Sequence, residues 1–79
     1  MVLAQWQISY DDGTWWDLPS NENEACELAY KGGKIVFKYK YEWKNGRTDT
    51  YLLRFRTMKD KNKKTKQKRK VRRVIESWL

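Results

Sequence analysis

The stretch that most constrains the fold is residues 34–56, which read as one long antiparallel hairpin. Its first arm alternates large apolar side chains with polar ones, the period of two that places every second side chain on one face of a strand. Asn45 and Gly46 then supply a turn signal. Because the return arm also alternates, the segment predicts two paired strands rather than a helix.

The register of this hairpin follows from which loop keeps the apolar side chains together. A two-residue loop at Asn45 and Gly46 would set the apolar face of the first arm beside mostly polar residues of the second. A three-residue loop from Lys44 to Gly46, with Gly46 left-handed, keeps aromatic and aliphatic groups on one face. The pairs that this loop predicts are Trp43 with Arg47, Tyr39 with Tyr51, Phe37 with Leu53, and Ile35 with Phe55.

Two shorter strands are predicted ahead of the hairpin, at residues 5–10 and 14–18, with a turn between them. Trp15 and Trp16 are adjacent in the second strand, so their side chains must point to opposite faces. We therefore expect one of them in the core and the other half-exposed or at the edge of a pocket.

A short helix is predicted between these strands and the hairpin. Asn21 and Glu24 have the spacing of a capping box, and two glycines at 32 and 33 end the helix. An apolar stripe that would dock the helix on the sheet is formed by Ala25, Leu28 and Ala29. The small side chain of Cys26 is expected to face the interior.

The composition indicates one small domain of the non-catalytic kind. The 79 residues include one cysteine and no histidine, which excludes an internal disulfide, makes zinc binding very unlikely, and removes the usual general-base triads. No secretory signal and no apolar run of about 20 residues is present, so we expect no membrane partner and a reducing nuclear or cytoplasmic location. The expectation is a monomeric domain without cofactors, within or beside a larger protein.

A strongly basic segment follows the hairpin at residues 59–73, and the net charge of the chain is +8. Residues 59–68 are predicted to form an extended, self-repelling surface loop, and residues 69–75 a last strand. The loop is simply solvated, or it is a clamp for a polyanion such as nucleic acid, or it is a nuclear-import signal. The lysines that would contact a polyanion are Lys61, Lys63, Lys64, Lys66 and Lys68.

The order of these elements resembles the WWE domain family. Trp6, Trp15 and Glu27 match the two tryptophans and the glutamate that give the family its name. Residues 57–58 resemble the threonine and methionine that end the long strand of the family, and residues 69–73 resemble its closing basic strand. The resemblance implies a single α+β domain over residues 1–79, with its core at about residues 6–75. The implied fold is a curved antiparallel half-barrel sheet of about five to six strands with one α-helix packed across it.

The resemblance also implies a binding function. Several family members grip poly(ADP-ribose) through its iso-ADP-ribose unit, and others bind ADP-ribose or a related adenine nucleotide. Stacking rings suit the base, and an arginine fork suits the phosphates. The candidate ligand contacts are Trp16, Tyr39, Tyr51, Arg69 and Lys70, with an open pocket expected between Tyr51 and Arg69. The candidate structural residues are Trp6, Trp15, Glu27 and Tyr30, Glu27 being expected to accept hydrogen bonds that fix the helix to the sheet.

Three positions depart from the pattern of the family. Ile8 stands in place of a tyrosine and Asp60 in place of a glutamine, while Asp11 or Asp12 replaces an arginine. An acidic side chain at the pocket repels phosphate, so either the ligand is a different anionic nucleotide or the site has been lost. Together with the basic run, this leaves two alternatives to the family function. One is a nucleic-acid-binding domain that uses the basic residues 59–73, and the other is a protein-interaction domain that has lost its nucleotide site.

Overall fold

The computed structural model describes residues 2–10 and 12–78. The elements are β1 (Val2–Ser9), β2 (Trp16–Asp17), α1 (Ser20–Lys31), β3 (Val36–Glu42), β4 (Thr48–Arg54), β5 (Lys59–Asn62) and β6 (Lys68–Trp78). The six strands form one antiparallel sheet in the order β2-β1-β6-β5-β4-β3. The sheet curls into a half-barrel with one helix, which confirms the predicted fold class. None of the helices described is long and apolar enough to cross a membrane.

The long hairpin has the register predicted from the three-residue loop. Tyr39 lies opposite Tyr51, and Phe37 lies opposite Leu53. The loop closes with a hydrogen bond of 2.9 Å from the Gly46 N–H to the Trp43 carbonyl oxygen, and Gly46 has φ of 85°. Only a residue without a Cβ adopts this left-handed conformation easily, which is why the turn falls here.

The core fills the concave side of the sheet. Its buried apolar side chains are Trp6, Ile8, Leu18, Cys26, Tyr39, Tyr51, Leu53 and Val71. The indole of Trp6 is 0% exposed and meets the rings of Tyr30 and Phe55 edge-on, at centroid distances of 5.3 and 5.4 Å. Aromatic rings thus supply much of the buried apolar surface of this short chain.

The first turn of helix α1 differs from the predicted capping box. The helix begins at Ser20 after Pro19, and no side chain caps its first turn. Asn23 instead joins the helix to β1, since its side chain accepts a 2.7 Å hydrogen bond from the Trp6 N–H and donates one of 3.0 Å to the Ala4 carbonyl oxygen. The cap prediction was wrong because it considered only the spacing of residues within the helix. It did not consider that backbone groups of β1 lie within hydrogen-bonding distance of the first turn of the helix.

The predicted docking stripe of helix α1 was also wrong. Leu28 is 67% exposed, whereas Cys26 is fully buried, as expected, and burial raises the pKa of its thiol to about 12. The face that meets the sheet is made by Asn23, Cys26, Glu27 and Tyr30. This face has helical spacing, but it docks through hydrogen bonds and one ring rather than through aliphatic groups.

Glu27 connects the helix to two strands. Its carboxylate accepts hydrogen bonds from the Trp6 indole at 2.9 Å and from Arg73 Nε and Nη2 at 2.9 and 2.7 Å. The hydrogen bonds from Arg73 lower the pKa of Glu27 from 4.5 to about 2, although its partial burial acts in the opposite direction. The charged form of Glu27 is therefore favoured in the folded state.

We expect this carboxylate to make stability depend on pH. Because its pKa is lower in the folded state, its stabilisation is complete above pH 4.5 and is lost as the pH falls towards 2. Glu27→Gln should lower the free energy of unfolding near neutral pH by about 1.5–3 kcal/mol, the usual value for hydrogen bonds to a charged group. Urea unfolding of both proteins at several pH values measures the difference, which should shrink steadily in acid. A difference that stays constant down to pH 2 would contradict this origin.

The basic segment is more ordered than predicted. Residues 59–62 form strand β5, and β6 begins at Lys68, so the predicted loop is reduced to residues 63–67. Asn62 is buried and its side-chain oxygen accepts hydrogen bonds from the N–H groups of Lys64 and Thr65, at 2.8 and 3.1 Å. The loop prediction was wrong because it considered only the repulsion between the lysines. It left out the turn that Asn62 stabilises and the backbone hydrogen bonds that β5 forms with β4 and β6.

Candidate functional site

A cavity of about 640 Å³ opens at one end of the half-barrel. Its lining residues are Ile8, Tyr10, Asp12, Trp16, Tyr41, Glu42, Trp43, Lys44 and Asn45. They come from β1, β2 and the turn between them on one side, and from the end of β3 and the turn after it on the other. Since β2 and β3 are the two ends of the sheet order, the cavity lies where the curled sheet stops short of closing.

One wall of the cavity is held in place by a small network. The Tyr41 and Trp43 rings meet edge-on at 4.9 Å, and the Trp43 indole donates a 2.8 Å hydrogen bond to Asp49. Arg47 forms an ion pair of 3.1 Å with the same carboxylate and lies 5.5 Å from the Trp43 ring centroid. These contacts fix the aromatic wall before any ligand arrives, which lowers the entropic cost of binding.

Trp16 forms the opposite side of the opening. Its strand β2 is only two residues long and pairs with β1 so that Trp16 lies opposite Ile8. The Trp16 side chain is 54% exposed although it is large and apolar. A ring in this position can be covered by a flat ligand, which would remove apolar surface from water.

The charges at the cavity are mixed. Asp12 and Glu42 bring carboxylates, and Lys44 brings an ammonium group. Carboxylates accept hydrogen bonds from hydroxyl groups and attract cations, whereas they repel phosphate. The cavity therefore suits an aromatic group with hydroxyls or positive charge better than a bare polyphosphate.

Next to this cavity the interior holds a buried ion pair. Arg69 and Asp60 are each 1% exposed. Arg69 donates from Nε and Nη2 to the two carboxylate oxygens of Asp60, at 2.8 and 2.7 Å. It also donates to the hydroxyl oxygens of Tyr10 and Tyr39, both at 2.9 Å, and Tyr39 donates its own proton to Asp60. Every nitrogen of this guanidinium thus has a partner inside the protein.

The network keeps the Arg69 guanidinium charged. Burial tends to lower the pKa of Arg69, but its hydrogen bonds and charge interactions with Asp60, Tyr39 and Tyr10 together outweigh this effect, and the pKa is raised above its usual value. Burial, reinforced by the Asp60 charge, raises the pKa of the Tyr39 hydroxyl, which therefore remains a donor. Tyr10 links the two regions, because it lines the cavity and its hydroxyl receives Arg69.

This network corrects the predicted open pocket between Tyr51 and Arg69. The guanidinium carbon of Arg69 lies 3.6 Å from the Tyr51 ring centroid, so no base fits between them. Tyr39 and Tyr51 are both buried in the core. Asp60 occupies the position at which a phosphate would meet Arg69, and the arginine is satisfied internally for that reason.

The structure distributes the remaining predicted residues over three places. Trp6, Glu27 and Tyr30 lie at the helix–sheet contact. Trp15 is half-buried rather than in the core, because it lies on the outer side of the sheet with Arg72 4.1 Å above its ring. The predicted polyanion contacts and Lys70 are exposed on β5, on β6 and in the turn between them, away from the cavity. Asp11 lies outside the described residues.

Sequence reasoning did not single out Tyr10, Tyr41 and Trp43 as site residues. Tyr41 lies near the end of β3, and Tyr10 and Trp43 lie one residue beyond the ends of β1 and β3, where each continues the alternation of its strand. Large rings at the end of a strand, where little remains to cover them, are the signal that could have indicated this cavity. Among the described residues, no cluster of histidine, cysteine, aspartate and glutamate could hold a metal ion.

Comparison with known proteins supports the family resemblance. A search of curated proteins found no significant match to this chain. The family model described as WWE domain matches residues 4–73, nearly the whole chain. The match covers the helix, β2 to β5, and most of β1 and β6. The chain therefore belongs to the WWE domain family, whose members are protein-interaction and ADP-ribose-binding modules.

Proposed function

We propose that this domain is a non-catalytic module that binds poly(ADP-ribose), or a related ADP-ribose-type nucleotide, in the cavity at the end of the half-barrel. The observation that carries the proposal is an aromatic-lined cavity of about 640 Å³ at the unclosed end of the sheet. This volume lies within the range of about 300–1,000 Å³ that is usual for small-molecule sites.

The adenine base is expected to stack inside this cavity. Trp16 on one side and the Tyr41–Trp43 wall on the other present aromatic surface from both ends of the sheet. Stacking of a base on an aromatic side chain contributes about 1–3 kcal/mol in nucleic-acid complexes. The ribose hydroxyls suit the carboxylates of Asp12 and Glu42, which accept hydrogen bonds.

The phosphates are expected to lie at the mouth of the cavity rather than against Arg69. Arg69 is paired with Asp60, so Lys44 is the cation among the lining residues that can reach a phosphate. A single lysine holds phosphate less firmly than a bidentate arginine does. We therefore expect affinity to depend strongly on the adenosine part and only weakly on the number of phosphates.

Calorimetric titration with adenosine, ADP-ribose, iso-ADP-ribose and ATP tests the proposal. We expect Trp16→Ala to weaken binding of the best ligand by about 1–3 kcal/mol, because the stacking surface is removed. Trp15→Ala is the matched control, since the adjacent tryptophan lies on the outer side under Arg72 and should leave affinity unchanged. A folded protein that gives no heat with any of the four compounds would eliminate the proposal.

A second candidate is a protein partner that inserts a cationic side chain into the same cavity. Aromatic rings beside the carboxylates of Asp12 and Glu42 favour this reading, because ammonium groups bind the faces of such rings. Peptides that carry lysine or trimethyllysine, titrated alongside the nucleotides, separate the two candidates. Binding of the peptide with no response to adenosine would select the protein partner.

A further inference from the structure

The convex side of the sheet carries a dense array of cations, which we call the basic face. Its members are Lys38, Lys40, Arg54, Lys59, Lys61, Lys68, Lys70 and Arg72, all of them exposed. The residues between them on the same strands, such as Leu53, Asp60 and Arg69, are buried on the concave side. The strict alternation shows that the basic face and the core are the two surfaces of one sheet.

Strand pairing arranges these cations in rows across the sheet. One row runs through Lys68, Lys61, Leu52 and Lys38, and the next through Lys70, Lys59, Arg54 and Val36. Neighbouring strands are about 4.8 Å apart, and alternate residues along a strand are about 6.7 Å apart. Both rows consist of cationic and apolar residues, so the pairing itself places like charges side by side.

This arrangement works against folding. Lys59 lies directly opposite Lys70, and Lys61 lies directly opposite Lys68. Like charges directly opposite each other in an antiparallel sheet are destabilising. These lysine pairs therefore do not contribute to the stability of the sheet. A bound anion would reduce the repulsion between them.

The basic face also has room for an anion. A hollow of about 270 Å³ is lined by Leu52, Arg54, Thr57, Lys59, Lys61 and Lys68. Lys31, Arg47, Arg69 and Arg73 form ion pairs with carboxylates, and none of these four lines the hollow. The lysines and arginine around the hollow thus offer positive charge that those carboxylates do not neutralise.

We propose that the basic face binds single-stranded nucleic acid through its phosphate backbone, independently of base sequence. Lysines act as point charges, which suits a chain of regularly spaced phosphates rather than planar carboxylates. A flexible single strand can follow a convex surface, whereas duplex DNA, with a persistence length of about 150 base pairs, touches it over a short arc.

The edge of the basic face adds a second kind of contact. Trp15 and Arg72 stack at 4.1 Å, and Arg72 also donates a 2.8 Å hydrogen bond to Gln7. Such a pair offers a platform on which a base can stack without sequence preference.

The apolar members of the two rows, Val36 and Leu52, are half-buried, so the basic face has little apolar surface to insert into a lipid membrane.

Fluorescence anisotropy with a labelled oligo(dT) strand of about 15 nucleotides tests this proposal. The strand contains no adenine, so the result does not depend on the nucleotide cavity. We expect affinity to fall with salt, with a log–log slope of about −0.7 for each phosphate neutralised. Lys61→Gln/Lys68→Gln should reduce the magnitude of that slope by about 1.4 and weaken binding about tenfold at low salt.

The matched control is Lys31→Gln/Lys34→Gln, which removes the same amount of charge at the last residue of helix α1 and shortly after it. It should weaken binding clearly less than Lys61→Gln/Lys68→Gln does, since neither residue lines the hollow. The thermal unfolding midpoint of Lys61→Gln/Lys68→Gln should equal or exceed that of the parent, which excludes misfolding as the cause. Equal weakening by the two pairs, absence of binding by the folded domain at low salt, or tighter binding of a duplex would each overturn the proposal.

Discussion

Asp60→Asn should lower the free energy of unfolding by about 3–5 kcal/mol, because it leaves the Arg69 charge buried without its counter-charge. Both side chains are 1% exposed, so water cannot take over the role of the lost carboxylate. A domain of 79 residues has a total stability of about 4–12 kcal/mol. The loss is therefore a large share of the total stability, and urea titration followed by tryptophan fluorescence measures it.

The control for this prediction is a second change in the same network. Asp60→Asn/Arg69→Met removes the unpaired charge while keeping a partner for the Tyr39 hydroxyl and most of the arginine volume. The double variant should be more stable than Asp60→Asn alone, since removing both members of a buried pair costs less than removing one. A double variant that is less stable than either single one would show that the charge pair is not the origin of the loss.

Trp6→Ala should be the second severe change, with a loss of about 3–5 kcal/mol in the free energy of unfolding. Trp6 is 0% exposed, touches Tyr30 and Phe55, and donates a 2.9 Å hydrogen bond to Glu27. Its removal leaves a cavity at the point where the helix meets the sheet. Urea unfolding of the parent and the variant under the same conditions gives the difference.

Two further tryptophan variants separate the causes of that loss. Trp6→Phe keeps a ring in the core but loses the hydrogen bond to Glu27, so it should cost less than Trp6→Ala. Trp16→Ala removes a ring that is 54% exposed and should change stability by about 0.5 kcal/mol or less. If Trp16→Ala proved as destabilising as Trp6→Ala, Trp16 would belong to the core rather than to a ligand site.

The parts of the fold that could be predicted are those determined by local pattern. The register of the long hairpin depends on Gly46 and on the alternation around Tyr39 and Tyr51, which are close in the chain. Strand β2 was predicted longer than it is, but its pairing with β1 follows from alternation. Alternation did not decide which of Trp15 and Trp16 is exposed, and neither of them lies in the core. The half-barrel itself came from the family resemblance rather than from such patterns.

The parts that could not be predicted depend on pairing between distant charges. Nothing in the local sequence shows that Asp60 and Arg69 satisfy each other, because both look like exposed residues of a basic segment. Once they are paired in the interior, the arginine is no longer available to a ligand. The candidate site consequently moves to the rings at the strand ends, where Tyr10 joins the cavity to the buried pair.

The unclosed sheet has a consequence for solubility. β3 is the last strand of the sheet order, and a terminal strand offers free backbone groups to any second chain, which is how fibrils begin to grow. Lys38 and Lys40 repeat along β3, so two molecules that approach edge to edge bring like charges together. Acetylation of these two lysines would remove that protection and make the domain prone to aggregation.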